Sequence, residues 1–169
     1  AIPADTDKIK LTCATCQDTP LYYTIAQSGF TRDIDKDSNG IEIVREYFDM
    51  SGNRITHANL GDIINVKITA RTRGTSHIPN IAIIDLLPGG FVAEELTGDM
   101  DFSEIREDRV IIYTNLSRHE KAFSYRAQLT AAGTFAIAPI RAVSLYNTAI
   151  FGTDIPNAPA FHVINAANE

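Results

Sequence analysis

Residues 64–71 read INVKITAR and residues 123–130 read FSYRAQLT. In the first, Ile64, Val66, Ile68 and Ala70 alternate with Asn65, Lys67, Thr69 and Arg71. In the second, Phe123, Tyr125, Ala127 and Leu129 alternate with Ser124, Arg126, Gln128 and Thr130. Side chains of an extended chain point alternately to opposite faces, so each octet gives a strand with one buried and one wetted face. Outward from these two, β-branched and aromatic runs bounded by Gly, Pro, Asn or Asp mark further strands. The full set spans about residues 8–13, 20–27, 41–49, 62–71, 79–86, 109–115, 121–130, 134–142 and 160–165. Turn residues fall between them at Ser51-Gly52-Asn53, Pro88-Gly89-Gly90 and Ala131-Ala132-Gly133. The one helix candidate is short, Ser103 to Glu107, with Ser103 placed to cap it.

Residues 31–40, TRDIDKDSNG, interrupt this pattern with a polar, turn-rich stretch. Seven of the nine strands follow it, which predicts an all-β chain built as a seven-stranded antiparallel β-sandwich with two extra N-terminal strands. The predicted division is a β segment at 1–33, an acidic linker at 34–40 and the sandwich at 41–169. Two strands alone are not a stable unit, so the first segment must pair with the sandwich or complete another domain.

The chain has 169 residues, with Lys plus Arg at 15 and Asp plus Glu at 21, for a formal charge of −6. Such acidity argues against nucleic acid as a partner, because phosphate contacts need clustered Lys and Arg. Apolar residues make up 44%, enough for a core. No apolar run approaches the roughly 18–20 residues needed to span a bilayer, so membrane insertion by this chain is not expected. The opening AIPADTDKIK shows no secretory pattern, as a processed or excised chain would not.

Asp35, Asp37, Asn39, Gly40 and Glu46 fit the spacing of an EF-hand calcium loop, which offers oxygen ligands and a Gly at the sharp bend. The flanks favour strand, whereas an EF-hand needs a helix on each side, and Glu42 stands where such loops are usually apolar. The plainer reading is an inter-strand linker, and no metal or other cofactor is predicted. Cys13 and Cys16 form a C-x-x-C, but one pair cannot complete a tetrahedral zinc site, and the pair lies near a strand end rather than a helix start. A local disulfide or two free thiols is the expected state. No nucleophile elbow, phosphate loop or HExxH is present. Asp101, Glu104, Glu107 and Asp108 read as a solvated loop, and the chain is expected not to be an enzyme. Leu145-Tyr146-Asn147 ends a strand of small residues. An apolar-aromatic pair there serves either core packing or contact with another domain.

Taken in order, IEIVREYFDM at 41–50, LGDIINVKITAR at 60–71, IPNIAIIDLLPGGF at 78–91, EIREDRVIIYTNL at 104–116, FSYRAQLTAAGTFAIAP at 123–139 and SLYN at 144–147 resemble the C-terminal macroglobulin-like domain of bacterial alpha-2-macroglobulins. The resemblance covers roughly residues 40–155. It implies a macroglobulin-like sandwich, related in style to fibronectin-III and Ig domains, in a large periplasmic and often lipid-anchored protein. Such proteins act as broad-spectrum protease traps: a bait region is cut, the molecule rearranges, and the protease is caged or coupled through a reactive thioester. Proteases are then targets of the parent, and the partners of this domain are other domains of the same macroglobulin, the thioester domain above all. The resemblance also implies that Leu145 and Tyr146 shield the thioester. An activated acyl group survives only where water and amines are excluded.

Several positions depart from the family pattern. Cys16-Gln17-Asp18 lacks the spaced Cys and Gln of a thioester motif, so the reactive bond would lie elsewhere in the parent. Leu145 stands where Met is common, Asn147 where an acidic residue is common, and Ala131-Ala132-Gly133 where Thr-Pro-Gly is usual. The alternative from another class is an Ig-like adhesion or assembly module stiffened by calcium at Asp35, Asp37, Asn39 and Glu46.

Overall fold

A computed structural model of the chain describes residues 10, 22, 24, 37–74 and 77–165. The chain divides into two units, Ala1–Arg32 and Asp33–Glu169, and the described fold belongs to the second. The strands expected at 8–13 and 20–27, and Cys13 and Cys16, lie outside the described residues.

Among the described residues every regular element is a strand: β1 Ser38–Asn39, β2 Ile41–Phe48, β3 His57–Asn59, β4 Ile63–Thr72, β5 His77–Leu86, β6 Phe91–Gly98, β7 Phe102–Ile105, β8 Arg109–Ser117, β9 Lys121–Leu129, β10 Gly133–Ala136, β11 Ile140–Ser144, β12 Phe151–Asp154 and β13 Ala160–Ile164. They form a six-stranded sheet ordered β1-β12-β11-β5-β8-β7, a four-stranded sheet ordered β2-β4-β9-β6 and a small sheet ordered β10-β13-β3. The all-β class and the sandwich are as the alternation predicts. The strands are more numerous than the seven expected, because several are short or interrupted.

Each interruption has a local cause. The stretch expected as one strand at 134–142 splits at Ile137-Ala138-Pro139. Proline has no N–H to give to a ladder, and here the chain leaves β13, the partner of β10, to join β5 and β12 through β11. In β6 the alternation breaks where the register shifts between Glu94 and Thr97, and Glu95 takes φ +49°. This bulge hid the strand from a period-two reading. The helix expected at Ser103 to Glu107 does not form. Phe102–Ile105 pairs antiparallel with β8 instead, and Arg106 N donates to Arg109 O at 2.8 Å to close the hairpin. A single helical turn gains little against the cost of nucleating it, whereas β8 offers a full ladder.

The core lies between the large sheets. Ile64, Val66, Ile68, Phe123, Tyr125 and Ala127 face Ile81, Ile83, Val110, Ile112 and Ile140, all buried. Tyr47, Phe91 and Phe161 close one end edge-to-face, with centroids 5.2–6.3 Å apart. Gly152 in β12 sets the tightest approach: a Cβ built there would lie 2.5 Å from the Ile41 carbonyl oxygen. Backbone cannot yield as a side chain tip does, so Gly152→Ala is expected to destabilise the domain by about 1–3 kcal/mol. Urea denaturation would show this as a lowered midpoint with an unchanged slope.

Candidate functional site

The loop joining β11 to β12 carries Leu145 and Tyr146, and the side chains are 51% and 85% exposed. Its backbone is nonetheless well tied. Ser144 N donates to Ile150 O at 3.0 Å, and Ile150 N donates to Asn147 O at 2.9 Å. The Asn147 side-chain oxygen accepts from Ala149 N at 3.3 Å. Leu145 N donates to Asn80 O at 2.9 Å. Asn80 itself sits at φ +55°, a left-handed conformation that Asn tolerates better than most residues, and its N–H donates to the Asn115 side-chain oxygen at 3.0 Å. From the other side, Asn39 Nδ2 donates to Ala149 O at 2.7 Å. The loop therefore holds an exposed aromatic on a fixed backbone. Large apolar groups left in water at low entropy cost are suited to burial against another surface.

Behind the loop, β5 runs from Asn80 into the core, where it meets an ion pair that joins the two large sheets. Arg45 of β2 lies on the inward face with Ile41, Ile43 and Tyr47. Its Nη1 bonds Asp85 Oδ1, with the two side chains only 2% and 1% exposed. Its Nη2 donates to Ala138 O, and its guanidinium stands 5.5 Å from the centre of the Tyr47 ring. Tyr125 OH of β9 donates to Asp85 Oδ2 at 2.9 Å. Burial pushes the Asp85 carboxyl above the usual carboxylate range, against the pull of Arg45 and the hydrogen bond from Tyr125. Burial, the largest single influence, lowers the Arg45 guanidinium, but the charge of Asp85 together with Tyr47, Tyr125 and the hydrogen bond to Asp85 makes the net direction upward. Burial likewise raises the Tyr125 hydroxyl well above its ordinary value, so it stays a hydrogen-bond donor.

Of the residues in the calcium-loop spacing, Asn39 and Glu46 do not converge. Asp35 lies outside the described residues. Asn39 is bonded to Ala149, and Glu46 is ion-paired with Arg54 on the outer face of β2. From Asn39 to Glu46 the chain is almost wholly extended, at about 3.3 Å per residue, so the two side chains cannot close on one ion. Arg45, Asp85 and Tyr125 were not singled out from sequence. The available signal was a charge at an inward position of an alternating strand, in IEIVREYF and again in IAIIDLL.

Residues 40–148 match the family model described as the bacterial alpha-2-macroglobulin MG10 domain. This chain belongs to the bacterial alpha-2-macroglobulin family. An alpha-2-macroglobulin homolog of Yersinia pestis is 34% identical over 161 residues, covering 76% of this chain and 8% of that protein. The alpha-2-macroglobulin of Pasteurella multocida is 32% identical over 142 residues, covering 78% of this chain and 7% of that protein. In fold, the chain is similar to Salmonella alpha-2-macroglobulin reacted with methylamine, with a TM-score of 0.73 at 20% identity over 80% of this chain and 10% of that one. Native Escherichia coli alpha-2-macroglobulin from domain MG7 to the C-terminus gives 0.72 at 16% identity, over 80% of this chain and 25% of that one. The chain thus spans less than a tenth of the curated relatives it matches. The matched segment contains Arg45 and Asp85 and extends through Leu145 and Tyr146.

Removing one member of a buried pair leaves the other charge uncompensated. Asp85→Leu is expected to cost about 3–5 kcal/mol, and the double change Arg45→Met with Asp85→Leu to recover most of it. A double-mutant cycle by chemical denaturation measures that coupling. Purely additive losses would show that the pair does not couple the sheets.

Proposed function

We propose that this domain serves in a protease-trapping macroglobulin, where Leu145 and Tyr146 pack on a neighbouring domain and shield its thioester from water and amines. The supporting observation is the exposed Leu145-Tyr146 pair on a loop whose backbone is fixed by Asn80, Asn147 and Asn39. A hydrophobic cover must meet the bond it protects in one geometry, and a tied loop supplies that where a mobile one would not. The domain does no bond-making itself in this reading. Its parent carries the bait region and reactive bond, resides in the periplasm and is held there by a lipid anchor. Movement of the domain after bait cleavage withdraws the cover, and an amine or protease lysine then attacks the thioester carbonyl, forming an amide and releasing the cysteine thiol.

The test uses the intact parent. Tyr146→Gly is expected to speed spontaneous thioester loss by about tenfold or more, the change produced by removing about 1.4 kcal/mol of protection. Free thiols counted over time under denaturing conditions give the rate. Methylamine treatment of the unaltered protein calibrates the count by releasing the thioester thiol. An unchanged rate in the Tyr146→Gly protein would overturn the shielding role, and no thiol released by methylamine would remove the thioester itself.

A further inference from the structure

The two large sheets differ on their outward faces. On the four-stranded sheet, Glu46, Lys67, Ser124 and Thr97 stand side by side across β2, β4, β9 and β6, a wetted row. On the six-stranded sheet, the corresponding row is Phe102, Tyr113, Ala82, Val143 and Phe151, across β7, β8, β5, β11 and β12. None of these five belongs to the core cluster between the sheets. Phe102 is 60% exposed and stacks on Tyr113 with centroids 5.9 Å apart. The next row continues with Ile111 and Ile84, paired to each other, and Arg141. In chain order this gives IAII at 81–84 and VIIY at 110–113. Continuous apolar runs mark strands covered on both faces, whereas a strand with one wetted face alternates. On this face Phe102 and Leu86 are exposed, Tyr113, Ile84, Val143 and Phe151 are half-buried, and Ala82 and Ile111 are buried; a contiguous, partly exposed apolar surface of this kind marks an interaction site.

At its edge lies a groove of about 580 Å³ lined by Asp37, Ile84, Leu86, Arg109, Arg141 and Phe151, among others; Asp37 makes no ion pair with Arg141. Arg109 is paired with Asp108. Arg141 lies 5.4 Å over the Phe151 ring and has no carboxylate partner among the described residues. The cover that suits this face is apolar over the aromatic row and carries a carboxylate to Arg141.

We propose that a neighbouring domain of the same parent polypeptide lies permanently on the outward face of the six-stranded sheet, meeting Arg141 with an acidic side chain. The relatives place more than nine-tenths of their length outside the matching segment, so another domain of one chain is the surface present at high effective concentration. This proposal does not depend on what Tyr146 does.

Site-specific thiol labelling tests it, with Cys13 and Cys16 changed to Ser and the labelled peptide measured by mass spectrometry. Phe102→Cys is expected to react with a maleimide at least about tenfold more slowly in the intact parent than in this chain alone, as for a site covered at least nine-tenths of the time. Leu86→Cys, on the same face, is the second reporter should the Phe102 change disturb folding. Lys67→Cys, on the wetted sheet, should react equally in both. Adding Arg141→Glu to the parent should restore fast labelling at 102. Equal rates at 102 and 86 in parent and chain would overturn the proposal. Slow labelling in both would put the cover within this chain, and protection that grows with the concentration of the isolated chain would make it a second copy; each of these also overturns it. Tyr146→Gly is expected to leave labelling at 102 unchanged, so failure of the shield and failure of the face are read separately.

Discussion

Arg45 and Asp85 place opposite charges where water does not reach, and the sandwich is arranged so that both are satisfied. Arg45 comes from β2 in one sheet and Asp85 from β5 in the other, with Tyr125 of β9 completing the contact. Apolar residues between the sheets supply most of the driving force, but apolar contacts are non-directional and tolerate sliding. A buried ion pair does not, because a shift of one residue would leave a bare charge in the core. The pair thus sets how β2 and β5 lie across from each other. Ala138, which accepts from Arg45, draws the segment before β11 into the same arrangement. Farther along β5 lies Asn80, to which the loop carrying Leu145 and Tyr146 is tied.

The resulting domain has three surfaces of different character. One sheet is wetted on its outer face. The other carries an aromatic and apolar row on its outer face beside charged groups such as Arg141 and Arg109. The loop between β11 and β12 adds an exposed aromatic on a fixed base. The matched relatives are more than ten times longer than the segment they share with this chain, and both proposals rest on the uneven distribution of apolar surface.

The long strands β4 and β9 were legible because apolar residues recur at every second position, Ile64 to Ala70 in one and Phe123 to Leu129 in the other, and β2 because its β-branched and aromatic residues favour strand. Elements governed by distant partners were not. The bulge at Glu95, the sheet switch at Pro139 and the pairing of Phe102–Ile105 with β8 depend on what lies across the ladder, and no local pattern reports that. The Leu145-Tyr146 pair was noticed because it follows small residues at a strand end, but its ties to Asn80 and Asn39 join positions far apart in sequence. The charge at Asp85 stood within IAIIDLL, where a run of apolar residues drew attention to hydrophobicity rather than to the exception within it. The calcium spacing shows the converse: residue types can match a motif while an extended backbone keeps Asn39 and Glu46 apart.

The close approach of Gly152 to Ile41 has a consequence for how the domain is made. The first strands of the sandwich are completed by its penultimate one: Ser38 and Asn39 pair with Gly152 and Phe151, and Arg45 N reaches the Asp154 carboxylate. Contacts spanning more than a hundred residues close large loops and form slowly. A ribosome making this segment releases β2 long before β12, so the apolar faces of β2, β4 and β5 must wait, unfinished, for the final strands. Until then the nascent chain exposes sheet edges open to wrong pairing, and the hazard lasts until synthesis has passed residue 154.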